Sequence, residues 1–247
     1  MPAADETFLL GLLQGPAELL PISSSAHVGL LLQRRHPSLP GAVRKEIEVA
    51  LHAGTAIALA LERPPIRWRF LTAATVPPAL AGLVFERFVE ERLGTPPTVA
   101  AGLVAGAVAM VAADRTPARR TEPDVVDGAV LGVAQALALI PGVSRSGATR
   151  SAARARGFGR REAAELSRAV ALPVLAGAAA LKGARLIARR PPAAAVRALA
   201  AGTVAAGAST WAALQIEREA EPPLAAFAAY RVVLAAVILA GWRRGQG

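Results

Sequence analysis

Cysteine is missing altogether from the 247 residues. Disulfides and thiolate metal sites are thereby excluded, and the redox compartment cannot be inferred. Aromatic residues make up only 4%, and no aromatic-interleaved basic surface or nucleic-acid motif accompanies the formal net charge of +10, which argues against a nucleic-acid partner. The N-terminal stretch lacks a basic region: it carries Asp5 and Glu6, and no clear small-residue cleavage site follows Leu13. No cleavable signal peptide is expected, so insertion would rest on the mature helices.

What is present is apolar. With 53% hydrophobic residues, mean hydropathy of +0.40 and abundant Ala, Leu, Val and Gly, the composition is that of a polytopic α-helical membrane protein. The arginines collect between apolar segments, at Arg34 and Arg35, from Arg63 to Arg69, from Arg115 to Arg120, from Arg185 to Arg190, and at Arg243 and Arg244. That is a juxtamembrane pattern, with membrane lipids as the neighbours. Both sides receive many arginines under alternating loop assignment, so charge bias leaves orientation open.

Two stretches interrupt this apolar background. Gln14 to His27 reads QGPAELLPISSSAH, and Pro141 to Thr149, PGVSRSGAT, partly echoes it. Spanning takes roughly 20 mainly apolar residues, and proline removes a backbone donor, so the run from Phe8 to Leu32 is expected as two half-helices in a re-entrant hairpin. Apolar segments follow at about 47 to 62, 70 to 85 and 98 to 113. A second interrupted run at 124 to 153 is then followed by segments at about 163 to 181, 195 to 214 and 224 to 242. The chain thus reads as a single membrane domain, 1–247, of two repeats, 1–118 and 119–247. Each would be a re-entrant half-helix hairpin plus three transmembrane helices, giving an inverted repeat with the hairpin tips near the midplane.

The polar residues of these stretches suggest chemistry. Arg145, between Ser144 and Ser146, is a guanidinium in a deep segment, suited to a phosphate or carboxylate. Ser144, Ser146 and Thr149 could add donors to the same anion; the alternative is an internal pair with Glu18. Gln14 and Glu18 are four apart and share a helical face. A buried carboxylate there reads as a hard-metal ligand or a general base, and the carboxamide oxygen can help only in the first role. For Gln14 a helix–helix hydrogen bond is the alternative. His27, close behind Ser23, Ser24 and Ser25, is a candidate proton carrier or phosphoryl acceptor. His52 reads equally as a pocket-lining or a packing residue, while Arg150, Arg154, Arg156, Arg160 and Arg161 read as an interface with lipid headgroups.

At these two stretches the chain resembles the undecaprenyl-diphosphate phosphatases, also called bacitracin-resistance proteins. The family's first motif, a Glu or Gln, three residues, a Glu, then a proline-and-serine run ending in histidine, is matched by Gln14, Glu18, Pro21, Ser23, Ser24, Ser25 and His27. Its second, PGxSRSxxT, is matched by Pro141, Gly142, Ser144, Arg145, Ser146 and Thr149. The resemblance runs from about Leu10 to Arg243 and includes REAAELS at Arg161 to Ser167. It implies hydrolysis of undecaprenyl diphosphate with Mg²⁺, or another divalent cation such as Ca²⁺, in a bacterial inner membrane, recycling the lipid carrier for peptidoglycan and giving bacitracin resistance. It also allows a homodimer. Carried onto this chain, it implies that Gln14 and Glu18 hold the metal and that Arg145 clamps the diphosphate. Ser24 and His27 become the candidate nucleophile and general acid or base, with Ser23, Ser25, Ser144, Ser146 and Thr149 around the phosphates. Gln14 stands where many members have glutamate, and Ala26 where glycine is common. A transporter of a phosphorylated polyprenyl carrier remains the alternative. The acid-phosphatase-like lipid phosphatases are disfavoured, because Ser151 stands where their second motif needs histidine.

Overall fold

The computed structural model describes residues 1–62, 67–217 and 222–244, leaving aside the side chains of residues 86, 87, 90 and 91. The Arg63-Pro64-Pro65 break expected from the sequence lies outside the described residues. Among them the chain forms ten α-helices: α1 (Ala4–Leu19), α2 (Ser24–Arg35), α3 (Gly41–Leu61), α4 (Trp68–Arg92), α5 (Pro96–Asp114), α6 (Val125–Leu137), α7 (Arg145–Ala155), α8 (Arg160–Ala188), α9 (Ala193–Glu217) and α10 (Leu224–Arg244). Helices α4, α5, α8 and α10 are long and apolar enough to cross a bilayer. The protein is an all-α, multi-pass membrane protein. Two short helices followed by three long ones occur twice along the chain. The sequence underestimated the long helices, because charged helix formers such as Lys, Arg and Glu continue a helix past the end of its apolar window.

The helices fall into two compact units, each drawing on both ends of the chain. The first contains α1, α2, α3, α9 and the part of α8 from Ala171 onward. Here Leu10, Val28, Leu32, Ile47, Leu51, Leu199 and Ala206 form the core. Small residues let α1 lie close on α9: a methyl group at Gly11 would collide with Gly202 and Ala205, and one at Gly15 with Ser209 and Thr210. Pro16 lies inside α1 without ending it. Proline lacks the N–H that would serve the carbonyl four residues back, and just before it the Ser209 hydroxyl supports the helix from α9. That hydroxyl accepts from Gly15 N (3.2 Å) and donates to Gly11 O (2.8 Å), bridging the two ends of one helical rung.

The second unit contains the four-residue turn Leu20–Ser23, α4 to α7, α8 as far as Val170, and α10. Phe70, Ala74, Leu131, Ala153, Phe158 and Val170 are core, and a second cluster joins Ala107 and Met110 to Leu224 and Ala228. Leu80, Leu83 and Val84 on α4, with Val232, Val233 and Val237 on α10, stay exposed as lipid-facing side chains. Pro77 and Pro78 leave the carbonyls of Ala73 and Ala74 without their helical donors. Gln135 of α6 answers one of them, its Nε2 donating to Ala74 O at 3.0 Å.

Most of the arginines that the sequence assigned to lipid headgroups pair with acidic groups of this unit or are buried in it. Asp114 pairs with Arg154 (3.4 Å) and Arg160 (2.9 Å), and Asp127 pairs with Arg156 (2.6 Å) and Arg120 (2.8 Å). Arg150 is buried, while Arg161 remains outside with Glu165 at 3.2 Å. For Arg160, Arg154 and Arg156 the acidic partner lies forty-six, forty or twenty-nine residues away, and a local charge pattern cannot reveal it. Asp124 caps α6 in a capping box with Asp127.

Candidate functional site

In the first unit the carboxylate of Glu18 is buried at the end of α1. Three donors converge on its Oε2. Gln14 Nε2 reaches it at 3.0 Å from one turn earlier on the same helix, as the four-residue spacing requires. The Ser24 hydroxyl, first residue of α2, donates to the same oxygen. His52 Nε2, from α3, lies 3.2 Å away. A carboxylate only accepts, so the His52 Nε2 carries the proton in this contact. Ser25 is exposed and His27 half-buried along the same helix, three residues past Ser24 and so on its face.

The second unit holds the other motif and the turn between α1 and α2. Ser23, with φ of 72°, and Ser144, with φ of 68°, both take a positive φ that side chains other than glycine rarely adopt. Each stands immediately before a new helix. The two stretches are therefore in fixed register: Gly11 and Gly132, Gln14 and Gln135, Ser23 and Ser144, and Ser24 and Arg145 are all separated by one interval. Ser144 Oγ accepts from Gly147 N at 3.2 Å and caps α7. Ser146 Oγ donates to Leu20 O at 2.9 Å, tying the two turns together. Thr149 Oγ1 donates to Arg145 O (2.9 Å) and lies 2.6 Å from Ser167 Oγ. Arg145 donates through Nη1 to Ser167 O at 3.2 Å.

Sequence reasoning missed Arg231, whose guanidinium is completely buried behind these turns. It donates to Leu103 O (3.1 Å) and Gly102 O (3.3 Å) of α5, to Gly142 O (2.7 Å) and Val143 O (2.8 Å) of one turn, and to Pro21 O (3.2 Å) of the other. Gly106 and Gly147 make room for it, since a Cβ at Gly147 would come within 2.9 Å of Nη1 and one at Gly106 would collide with Nη2. Ser167 was also missed as an individual residue; the only signal for it was its place in REAAELS.

A divalent cation here would meet one carboxylate and one carboxamide, and among the described residues no group of three or more His, Asp or Glu forms a cage. With Gln14 Nε2 turned to Glu18, the carboxamide oxygen is the end able to meet a cation. This donor set fits a magnesium-like ion that arrives with phosphate oxygens to complete its shell, since such ions use one or two carboxylates plus substrate phosphates.

Fold and site define a multi-pass helical membrane protein with a buried carboxylate–serine cluster and an arginine-bearing turn of PGxSRSxxT sequence. The family model described as "Bacitracin resistance protein BacA" matches residues 62–237. An "Undecaprenyl-diphosphatase" of Geobacter sulfurreducens is 37% identical over 94% of this chain and 96% of its own length. Its namesake from Gemmatimonas aurantiaca is 33% identical over 95% and 96%. The one from Pelobacter propionicus is 38% identical over 79% and 81%. The chain belongs to the BacA bacitracin-resistance family.

Proposed function

We propose that the protein is an integral membrane phosphatase that hydrolyses undecaprenyl diphosphate to undecaprenyl phosphate and inorganic phosphate, recycling the lipid carrier for cell-wall synthesis. Family membership supports the substrate, and the observation that carries the chemistry is the Ser24 hydroxyl donating to the buried Glu18 carboxylate. That pair is an activated nucleophile with its base. Ser24 Oγ forms a bond to the terminal phosphorus, its proton passes to Glu18, and the bond to the bridging oxygen breaks, releasing undecaprenyl phosphate. Water then attacks the phosphoserine, giving its proton to His27, and as the bond from phosphorus to Ser24 Oγ breaks, Glu18 returns its proton to that oxygen, restoring Ser24 and releasing inorganic phosphate. Arg145 meets the charge on the phosphoryl oxygens, assisted by Ser144 and Ser146, with Ser23 and Ser25 serving the same anion from the first motif. Thr149 and Ser167 hold the Arg145 turn. Gln14 and Glu18 would hold Mg²⁺ or a related divalent cation, which neutralises diphosphate charge when bound.

The bacterial inner membrane is the proposed location. We further read residues 1–118 and 119–247 as two repeats inserted in opposite orientations, a reading supported by the recurring helix order and the shared register of Ser23 and Ser144.

Purified protein in detergent with Mg²⁺ is expected to release phosphate from a polyprenyl diphosphate. Arg145→Ala should lower kcat about 10²–10³-fold or more, and Ser24→Ala should abolish formation of the phosphoserine. Wild-type protein that releases no phosphate yet moves polyprenyl phosphate between vesicle leaflets would overturn the enzyme in favour of a carrier.

A further inference from the structure

We infer that His52 is a positioning residue for the Glu18 carboxylate: an imidazole on α3 that fixes the orientation in which Glu18 meets Ser24 and a cation. This rests on the phosphatase reading above. Gln14 and Ser24 belong to the same hairpin as Glu18, so their contacts move with it. His52 comes from outside the hairpin, thirty-four residues further on, and its Nε2 lies 3.2 Å from the same Oε2. It therefore ties the carboxylate to a separate element.

That element is itself anchored on both sides of His52. Two residues earlier Thr203 Oγ1 of α9 donates to Ala50 O at 2.9 Å. Immediately after His52, α3 lies against α9 so closely that a methyl group at Gly54 would collide with Thr203 O, and Thr55 Oγ1 lies 3.1 Å from Thr210 Oγ1. The donor thus rides on a helix with little freedom to shift, which is how an outer partner orients a ligating or catalytic carboxylate. A glutamate side chain has rotatable bonds to lose. Without the imidazole, Oε2 loses its donor from α3, and the proton of Ser24 meets a carboxylate of less defined direction. A packing histidine would have no need of a proton on Nε2 aimed at one carboxylate oxygen. The role requires a donor at that reach, so glutamine should replace it and asparagine, one methylene shorter, should not.

The test compares wild type, His52→Gln, His52→Asn and His52→Leu in detergent. Phosphate release from a polyprenyl diphosphate is measured alongside the Mg²⁺ concentration that half-saturates the thermal shift in the absence of substrate. His52→Asn and His52→Leu should lose about 10–100-fold in kcat with little change in KM, and need about 10–100-fold more Mg²⁺ for the thermal shift. His52→Gln should stay within a few-fold of wild type in both. Wild-type values in His52→Leu, or a His52→Gln as impaired as a well-folded His52→Asn, would overturn the inference. If wild type releases no phosphate, the phosphatase reading fails, and the Mg²⁺ shift series still decides the role of His52 at the carboxylate.

Discussion

Replacing Arg231 by methionine asks what the buried guanidinium contributes to the two turns. The substitution keeps an apolar body of similar reach on α10 and removes every donor. Leu103 and Gly102 lie within α5, where their carbonyls have helical donors of their own. Pro21, Gly142 and Val143 lie in turns and depend on Arg231 at 3.2, 2.7 and 2.8 Å. Leaving a buried acceptor unmade costs about 1–3 kcal/mol, and taking about 1–1.5 for each of the three gives about 3–4.5 kcal/mol. Methionine spares the desolvation of a cation, which offsets part of this and leaves a net loss of about 2–3 kcal/mol. At about 2–4 °C per kcal/mol for a chain of this size, melting should fall by about 4–12 °C. Thermal unfolding in detergent measures it, with Arg231→Lys as a second variant. One ammonium nitrogen cannot reach carbonyls on opposite sides of a planar fork, so lysine should recover less than half of the loss. A methionine variant melting within about 2 °C of wild type would refute the assignment of the turn carbonyls to Arg231.

Two further outcomes follow from the fold. Gln135→Leu removes the donor that serves the Ala74 carbonyl freed by Pro78, and should cost about 1 kcal/mol in detergent unfolding while leaving kcat unchanged; a fall in kcat without loss of stability would place Gln135 in the site instead. The hydrogen bond from Asp127 N, and then Arg120, hold the Asp124 carboxyl below the usual carboxylate range. A depressed folded value stabilises above the unfolded one, about 3.9, and that contribution is lost as pH falls through the folded value. The melting difference between wild type and Asp124→Ala should therefore be full near neutrality and close below about pH 4; a difference that stays constant down to pH 3 would contradict the capping role.

The hairpins were legible because proline and clustered serine are conspicuous against alanine and leucine, and Gln14 with Glu18 because a helix puts residues four apart on one face. His52 was not legible: a lone histidine in an apolar segment carries no local sign of a carboxylate thirty-four residues back. Arg231 was hidden by its company, since arginine at a membrane helix is ordinarily an interfacial anchor, and its partners are main-chain carbonyls that no side-chain pattern announces. The two register-matched glutamines show why type and position do not fix a role. Pro78 claims Gln135 by freeing Ala74 O, whereas α9, the partner of α1, contains no proline and leaves Gln14 to Glu18.

The positive-φ serine ahead of α2 also sets a rotational phase. A helix advances about 100° per residue, so the number of residues between Leu19 and Ser24 decides which side chain of α2 faces back along α1. Deleting or inserting one residue in Leu20–Ser23 would turn Ser24 roughly a quarter-circle from the Glu18 carboxylate and bring a neighbour into its place. The length of that turn is thus as much a part of the Glu18–Ser24 contact as the residues it separates, and the equal count between the glutamine and the left-handed serine in both stretches marks the same timing used twice, once to deliver a hydroxyl and once a guanidinium.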